Sequence, residues 1–137
     1  MDRRLLRKQL ERHEGLRLKP YRDTVGKLTV GYGRNLDDVG ISHDEADFML
    51  DNDIDQVEVQ LKTVDEYQAL SPLRQTVIAN MAFNLGFAGL MEFQNMWSAI
   101  GRQDWERAAD EMLNSRWAGQ VGSRAVELSE LMRHGGK

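Results

Sequence analysis

Cysteine is absent from this 137-residue chain, so no disulfide supports the fold, and a reducing or an oxidising compartment would suit it equally. Long apolar runs are missing too. Nothing approaches the roughly 20 residues of a membrane span, which excludes stable insertion into a bilayer. The chain opens on Arg and Lys residues rather than an apolar stretch, so no standard signal peptide is expected. No repeat recurs at solenoid periods, and no low-complexity tract appears apart from the closing Gly135-Gly136-Lys137. A Gly-x-Ser-x-Gly elbow and a phosphate loop are likewise missing. His13, His43 and His134 are scattered, which gives zinc little support, although His13 stands beside Glu14 and could tune it. Asp51, Asp53 and Asp55 alternate as in a calcium loop, but the Gly turn and closing Glu of such a loop are not at the required spacing. Neither metal nor cofactor is expected.

What is present suffices for one globular domain: 41% of the residues are hydrophobic, enough for a core at this length. The net charge is −4 but unevenly spread, with eight basic and two acidic side chains in residues 3–22 against one basic and eleven acidic in residues 37–66. The basic segment could steer an anionic polymer, or be a solvated helix face. Nucleic acid is the poorer partner, because the segment lacks interleaved aromatics and the total charge is negative.

Residues 3–13 read as a helix. Leu5, Leu6, Leu10 and His13 recur near the helical period, Arg3, Arg4, Arg7, Lys8 and Arg12 fill the other face, and Asp2 can cap it. Gly15 is a natural residue to leave a helix and Pro20 forbids its resumption, so Glu14 falls in the last turn or at the cap. A carboxylate there faces unsatisfied carbonyls, a placement disfavoured by about 0.3–1 kcal/mol when exposed. Three resolutions stay open: solvation, a cation brought from elsewhere, or partial protonation, the last being what a general acid requires.

From Tyr21 to Tyr32 the pattern changes to Thr24, Val25, Leu28, Thr29 and Val30 around Gly26, which reads as a hairpin. A loop of two to four residues at Val25-Gly26 would set Asp23 opposite Leu28 or Thr29. Gly31 and Gly33 suggest bulges or a backbone that something approaches closely. Two carboxylates and a hydroxyl so arranged are the parts of an inverting glycosidase. Glu14 would protonate the leaving oxygen, while Asp23 and Thr29 hold a water on the opposite face of the sugar.

This segment resembles the phage-type lysozymes, glycoside hydrolase family 24, in which a helix-terminal Glu-Gly, a Tyr-x-Asp-x-x-Gly hairpin and a Thr-x-Gly-x-Gly strand carry the catalytic residues. The resemblance puts those roles on Glu14, Asp23 and Thr29, with Tyr32 inside the Gly-Tyr-Gly element. Asn84-Leu85-Gly86, Ser115-Arg116-Trp117 and Ser123-Arg124-Ala125 extend the likeness over nearly the whole chain. It implies that Arg124 pairs with Glu14 and that Asn84, Trp117 and Gln120 lie near the cleft. Two positions depart from the pattern: Arg34 stands where a His is common, and the connection from Asn35 to Gly40 is short.

The remaining residues read as scaffold. Ser42 and Glu45 form a capping box, with Ile41 as a staple, for a long helix whose buried stripe is expected to hold Ala46, Phe48, Met49, Ile54, Val57 and Leu61. Ser71-Pro72 opens the core helix, with Ile78, Met81, Ala82 and Leu85 packed inward. Phe87–Ile100 form one or two short helices, Asp104 caps another through Leu113, and residues 123–133 form the last. Trp117 sits in a loop-like setting where exposure to a ligand and core packing are equally expected.

The expected fold is α+β and mainly α, a lysozyme-like two-lobed domain over residues 1–137. A small hairpin lobe would hold about 16–40 and a helical lobe 1–15 and 41–137. By resemblance it is a monomeric muramidase cutting between N-acetylmuramic acid and N-acetylglucosamine in peptidoglycan during phage lysis. It would be made in the host cytoplasm, reach the periplasm through a holin, and insert in no membrane. The rivals are a non-catalytic module binding glycan or protein, a lytic transglycosylase, and a regulator binding DNA through the first helix.

Overall fold

The computed structural model describes residues 1–135 and falls into two compact units, Met1–Met49 and Leu50 onward. Gly136 and Lys137 of the expected single domain lie outside the described residues.

The first unit holds helix α1 (Arg3–Glu14), strands β1 (Arg17–Arg22), β2 (Leu28–Gly31) and β3 (Arg34–Asn35), and the first turns of helix α2 (His43–Leu61). The carboxylate of Asp2 caps α1 by accepting from the Leu5 N–H at 3.0 Å. Gly15, at φ 70°, ends the helix. No residue of α1 is buried: Leu5, Leu6 and Leu10 keep 53%, 38% and 43% of their surface.

The sheet is antiparallel in the order β1-β2-β3, so a short third strand extends the expected hairpin. Its shortness follows from Asp37, whose carboxylate takes the Leu28 N–H at 2.8 Å where a longer strand would offer a carbonyl. Beyond it Arg34 grips Glu45 in a two-pronged pair at 2.8 and 2.7 Å and donates to the Gly40 carbonyl. Glu45 completes the capping box at the same time, accepting from Ser42 N–H while the Ser42 hydroxyl accepts from Glu45 N–H. One carboxylate thus joins β3 to the start of α2.

The approach of Glu14 to Gly33, described below, joins α1 to the sheet, and the boundary between the two units falls inside α2, between Met49 and Leu50.

The expected buried stripe of α2 is corrected. Only Leu61 is buried and Val57 partly so, whereas Phe48, Met49 and Ile54 keep 69%, 51% and 43% of their surface, and Ala46 is exposed. Phe48-Met49-Leu50 are consecutive and spread across most of the helix circumference. Asp44, Asp47, Asp51, Asp53 and Asp55 interrupt any continuous apolar face.

The second unit contains the rest of α2 and helices α3 (Asp65–Gln68), α4 (Pro72–Leu85), α5 (Phe87–Met91), α6 (Gln94–Gly101), α7 (Trp105–Leu113), α8 (Arg116–Val121) and α9 (Ser123–His134). Its core is the apolar face of α4 (Val77, Ile78, Met81) packed with Met96 and Ile100 of α6, Met112 of α7 and Met132 of α9. Each such side chain contributes about 1.5–3 kcal/mol by leaving water. Leu85 packs against this cluster from its edge. Ser71 and Asp104 cap α4 and α7 as their sequences require. Buried Arg74 stacks on Trp105 at 3.9 Å and donates to the carbonyls of Met132 and Arg133, closing the end of α9. Burial lowers the Arg74 pKa. No helix among the described residues is long and apolar enough to cross a membrane.

Candidate active site

Glu14, Asp23, Thr29 and Tyr32 all belong to the first unit. Glu14 is the last residue of α1 and is exposed. Its carboxyl group lies against the backbone of Gly33: a Cβ at that glycine would stand 2.7 Å from Glu14 Oε2 and 3.1 Å from its Cδ. The close approach expected at the Gly-Tyr-Gly element is therefore made by the candidate acid itself. Gly33 also has φ 77°, a conformation other residues adopt at a cost. Gly31, at φ 70°, faces open space.

The hairpin differs from expectation by one register step. Tyr21 faces Thr29 and Arg22 faces Leu28, so Asp23 stands opposite Lys27, bonded through its N–H to the Lys27 carbonyl at 2.9 Å. The loop is Thr24-Val25-Gly26, with Gly26 at φ 85° and its N–H returning to the Asp23 carbonyl at 3.0 Å. A three-residue loop of this kind takes its last residue in the left-handed region, and Gly26 supplies it, which fixes the register. Side chains alternate along a strand, so Tyr21, Asp23 and Thr29 still share one face.

The carboxylate of Asp23 is held by its own turn. Oδ1 accepts the N–H of Val25 at 3.0 Å and of Lys27 at 2.8 Å, while Oδ2 makes no hydrogen bond among the described residues. Thr29 is buried, with 3% of its surface exposed, and its hydroxyl donates to the Lys27 carbonyl at 2.9 Å. Its proton being committed, the oxygen can only accept from a further partner. An oriented carboxylate oxygen and an accepting hydroxyl on one face can together take both protons of a water, leaving its lone pair for attack.

Tyr32 forms the exposed turn between β2 and β3. A groove of about 910 Å³ runs past Tyr32, Arg34, Ile41, Glu45 and Phe48 and is lined by none of the three candidate catalytic residues. Beside it, hydrogen bonds from Arg34 and then from Ser42 hold the Glu45 carboxyl down at about 2.

The other four candidates belong to the second unit and are described within it. Trp117 is not in a loop: Ser115 caps α8 through the Ala118 N–H at 3.1 Å and makes Trp117 helical. It is 3% exposed, edge-on to Phe93 at 6.1 Å, and donates from Nε1 to Asn84 Oδ1 at 2.9 Å. Trp117 is thus packed in the core of its unit, on a helix whose start Ser115 marks. Gln120 is exposed on the same helix. Arg124 is engaged by Asn80, donating to Oδ1 at 2.9 and 2.6 Å and to the carbonyl at 3.2 Å.

Among the described residues, the one grouping with metal-ligand geometry is His43, Asp44 and Asp47, exposed on the first turn of α2, where His43 pairs with Asp47 at 3.2 Å. Asp51, Asp53 and Asp55 are not part of it. Sequence reasoning missed the double duty of Glu45, the Asp37 side chain closing the sheet, and the stacking of Arg17 on Tyr21 at 4.5 Å. The spacing of Arg17 and Tyr21 on one strand was the available signal for the last.

The phage lysozyme family model matches residues 11–134. An endolysin of Acyrthosiphon pisum secondary endosymbiont phage 1 is 39% identical over 90% of this chain and 85% of its own length. A probable T4-type lysozyme of Dictyostelium discoideum is 26% identical over 95% of this chain and 94% of its own. The pre-baseplate central spike protein Gp5 of Enterobacteria phage T4 is 28% identical over 92% of this chain, which spans 27% of that protein.

Proposed function

The chain belongs to the phage lysozyme family, and on that premise we propose that it is a peptidoglycan hydrolase of phage-mediated host lysis, with Glu14 as acid and a water held by Asp23 and Thr29 as nucleophile. The observation that carries the roles is the pinned Asp23 carboxylate sharing a hairpin face with an accepting Thr29 hydroxyl, while the Glu14 carboxyl rests on Gly33 in the same unit.

In this mechanism Glu14 gives its proton to the oxygen that leaves between N-acetylmuramic acid and N-acetylglucosamine. Asp23 accepts a proton from the water as it attacks the opposite side of the anomeric carbon, and the configuration inverts. Thr29 fixes the water without itself reacting. Tyr32 is proposed to line the glycan site, and Asn84, Gln120 and Arg124 are proposed as supporting residues within the second unit, with Trp117 holding Asn84 from the core. The enzyme acts as a monomer without metal or cofactor and reaches the wall through a phage holin.

Incubating purified cell walls with the wild type and with Glu14→Gln tests this. Soluble fragments with ordinary reducing ends from the wild type, and at least ~10²-fold fewer from the variant, support the reading. Anhydro ends would make it a transglycosylase, and no fragments at all would leave only a binding module.

A further inference from the structure

Three arginines around the site are already engaged. Arg7 pairs with Glu11 at 3.1 Å, Arg22 donates to the Gly26 carbonyl, and Arg34 is taken by Glu45. Arg17, which is exposed, has no hydrogen-bond or ion-pair partner among the described residues. It is nonetheless held, because its guanidinium lies over the Tyr21 ring at 4.5 Å.

The backbone explains this placement. Arg17 pairs with Gly31 and Tyr21 with Thr29, so three residues, Leu18 to Pro20, oppose the single Val30. Such a bulge re-aims the side chains beside it, and Pro20, which has no N–H to lose, is tolerated because β1 is an edge strand. Tyr21 faces Thr29 and shares its face with Asp23, so the stack brings the guanidinium over the face that carries the proposed water site. A cation–π contact of this kind holds the guanidinium without using its N–H donors, which stay free to grip a carboxylate with two hydrogen bonds.

We infer that Arg17, oriented by Tyr21, is a binding residue for a carboxylate of the wall glycan, which it takes beside the scissile bond. The inference rests on the hydrolase reading above and adds what the site recognises. In peptidoglycan that carboxylate is carried either by the peptide stem or, where the stem has been removed, by the lactyl group of the muramic acid.

Three substrates separate the possibilities: glycan strands with intact stems, the same strands with carboxylates converted to amides by carbodiimide and ammonia, and strands stripped of stems so that only lactyl carboxylates remain. The wild type should prefer the intact over the amidated strands by about three- to tenfold in kcat/KM, mainly through KM. Arg17→Gln should erase that preference, and Lys8→Gln, which removes the same charge from α1, should keep it. Because the lactyl carboxyl of an intact strand is tied up as the amide to its stem, that preference assigns the stem, and stripped strands cleaved as well as the intact ones would show that Arg17 takes the lactyl carboxylate too. No preference in the wild type, its survival in Arg17→Gln, or an equal loss in Lys8→Gln would overturn the inference alone. No cleavage of any strand by the wild type would overturn it together with the hydrolase reading.

Discussion

Replacing Gly33 by alanine separates backbone strain from the placement of the acid. The new Cβ would sit 2.7 Å from Glu14 Oε2, 3.1 Å from Cδ and 3.4 Å from Cγ, so the carboxyl group must withdraw by several tenths of an ångström or more. It is the far end of a flexible side chain, so the move itself costs little stability. The left-handed backbone at φ 77° adds about 1–2 kcal/mol for any residue with a Cβ. Displacement of a reacting group by about 1 Å costs on the order of 10² in rate. Gly33→Ala should therefore lose about 1–2 kcal/mol of stability and about 10- to 100-fold in kcat. Gly31→Ala supplies the control, with φ 70° and nothing within 4 Å of its Cβ. It should lose the same stability and keep most of its kcat. Urea titration followed by fluorescence gives the first quantity and turbidity loss of cell-wall suspensions the second. Equal loss of kcat in the two variants, or full activity in Gly33→Ala, would refute the contact between Glu14 and Gly33 as a determinant of catalysis.

Asp23→Asn keeps an oxygen for the Val25 and Lys27 N–H groups, so its melting temperature should stay near that of the wild type while activity falls at least ~10²-fold; Asp23→Ala should lose the activity and about 1–2 kcal/mol besides, a difference calorimetry would show. Glu45, with its folded pKa near 2, favours the folded state fully above its unfolded value of about 4.5, and that contribution disappears as pH falls toward 2. Thermal melts should accordingly show wild type and Glu45→Gln differing at pH 6 and converging by pH 2, and a gap that stays constant would rule out the Arg34–Glu45 clamp as a source of stability. Trp117→Ala should cost about 3–5 kcal/mol in denaturant titration, since it empties a core position, whereas a loss of activity at unchanged stability would return Trp117 to the ligand.

Much of the fold could be read from local chemistry. Asp2, Ser42, Ser71 and Asp104 announced helix starts through their own side chains, and each cap forms as written. The candidate catalytic trio was readable because a helix end, a turn and a strand are all local signals. What escaped depended on partners distant in sequence or on one extra residue. The register slipped by one because two- and three-residue loops both suit Val25-Gly26, and only the left-handed Gly26 with its bond to Asp23 decides between them. Trp117 was ambiguous because Ser115 reads equally as a loop residue or as a cap. The α2 stripe misled because apolar residues at helical spacing imply burial only where another element covers them, and among the described residues Phe48 and Met49 stay exposed.

The stereochemistry of the first product bears most directly on the carboxylate-held water. Proton NMR during the first seconds of digestion of a soluble glycan strand distinguishes the anomers before they equilibrate. Attack by a water positioned by Asp23 and Thr29 requires the α-anomer to appear first from the β-linked substrate. Initial release of the β-anomer would mean that a covalent intermediate forms, and would contradict a water-holding role for both residues.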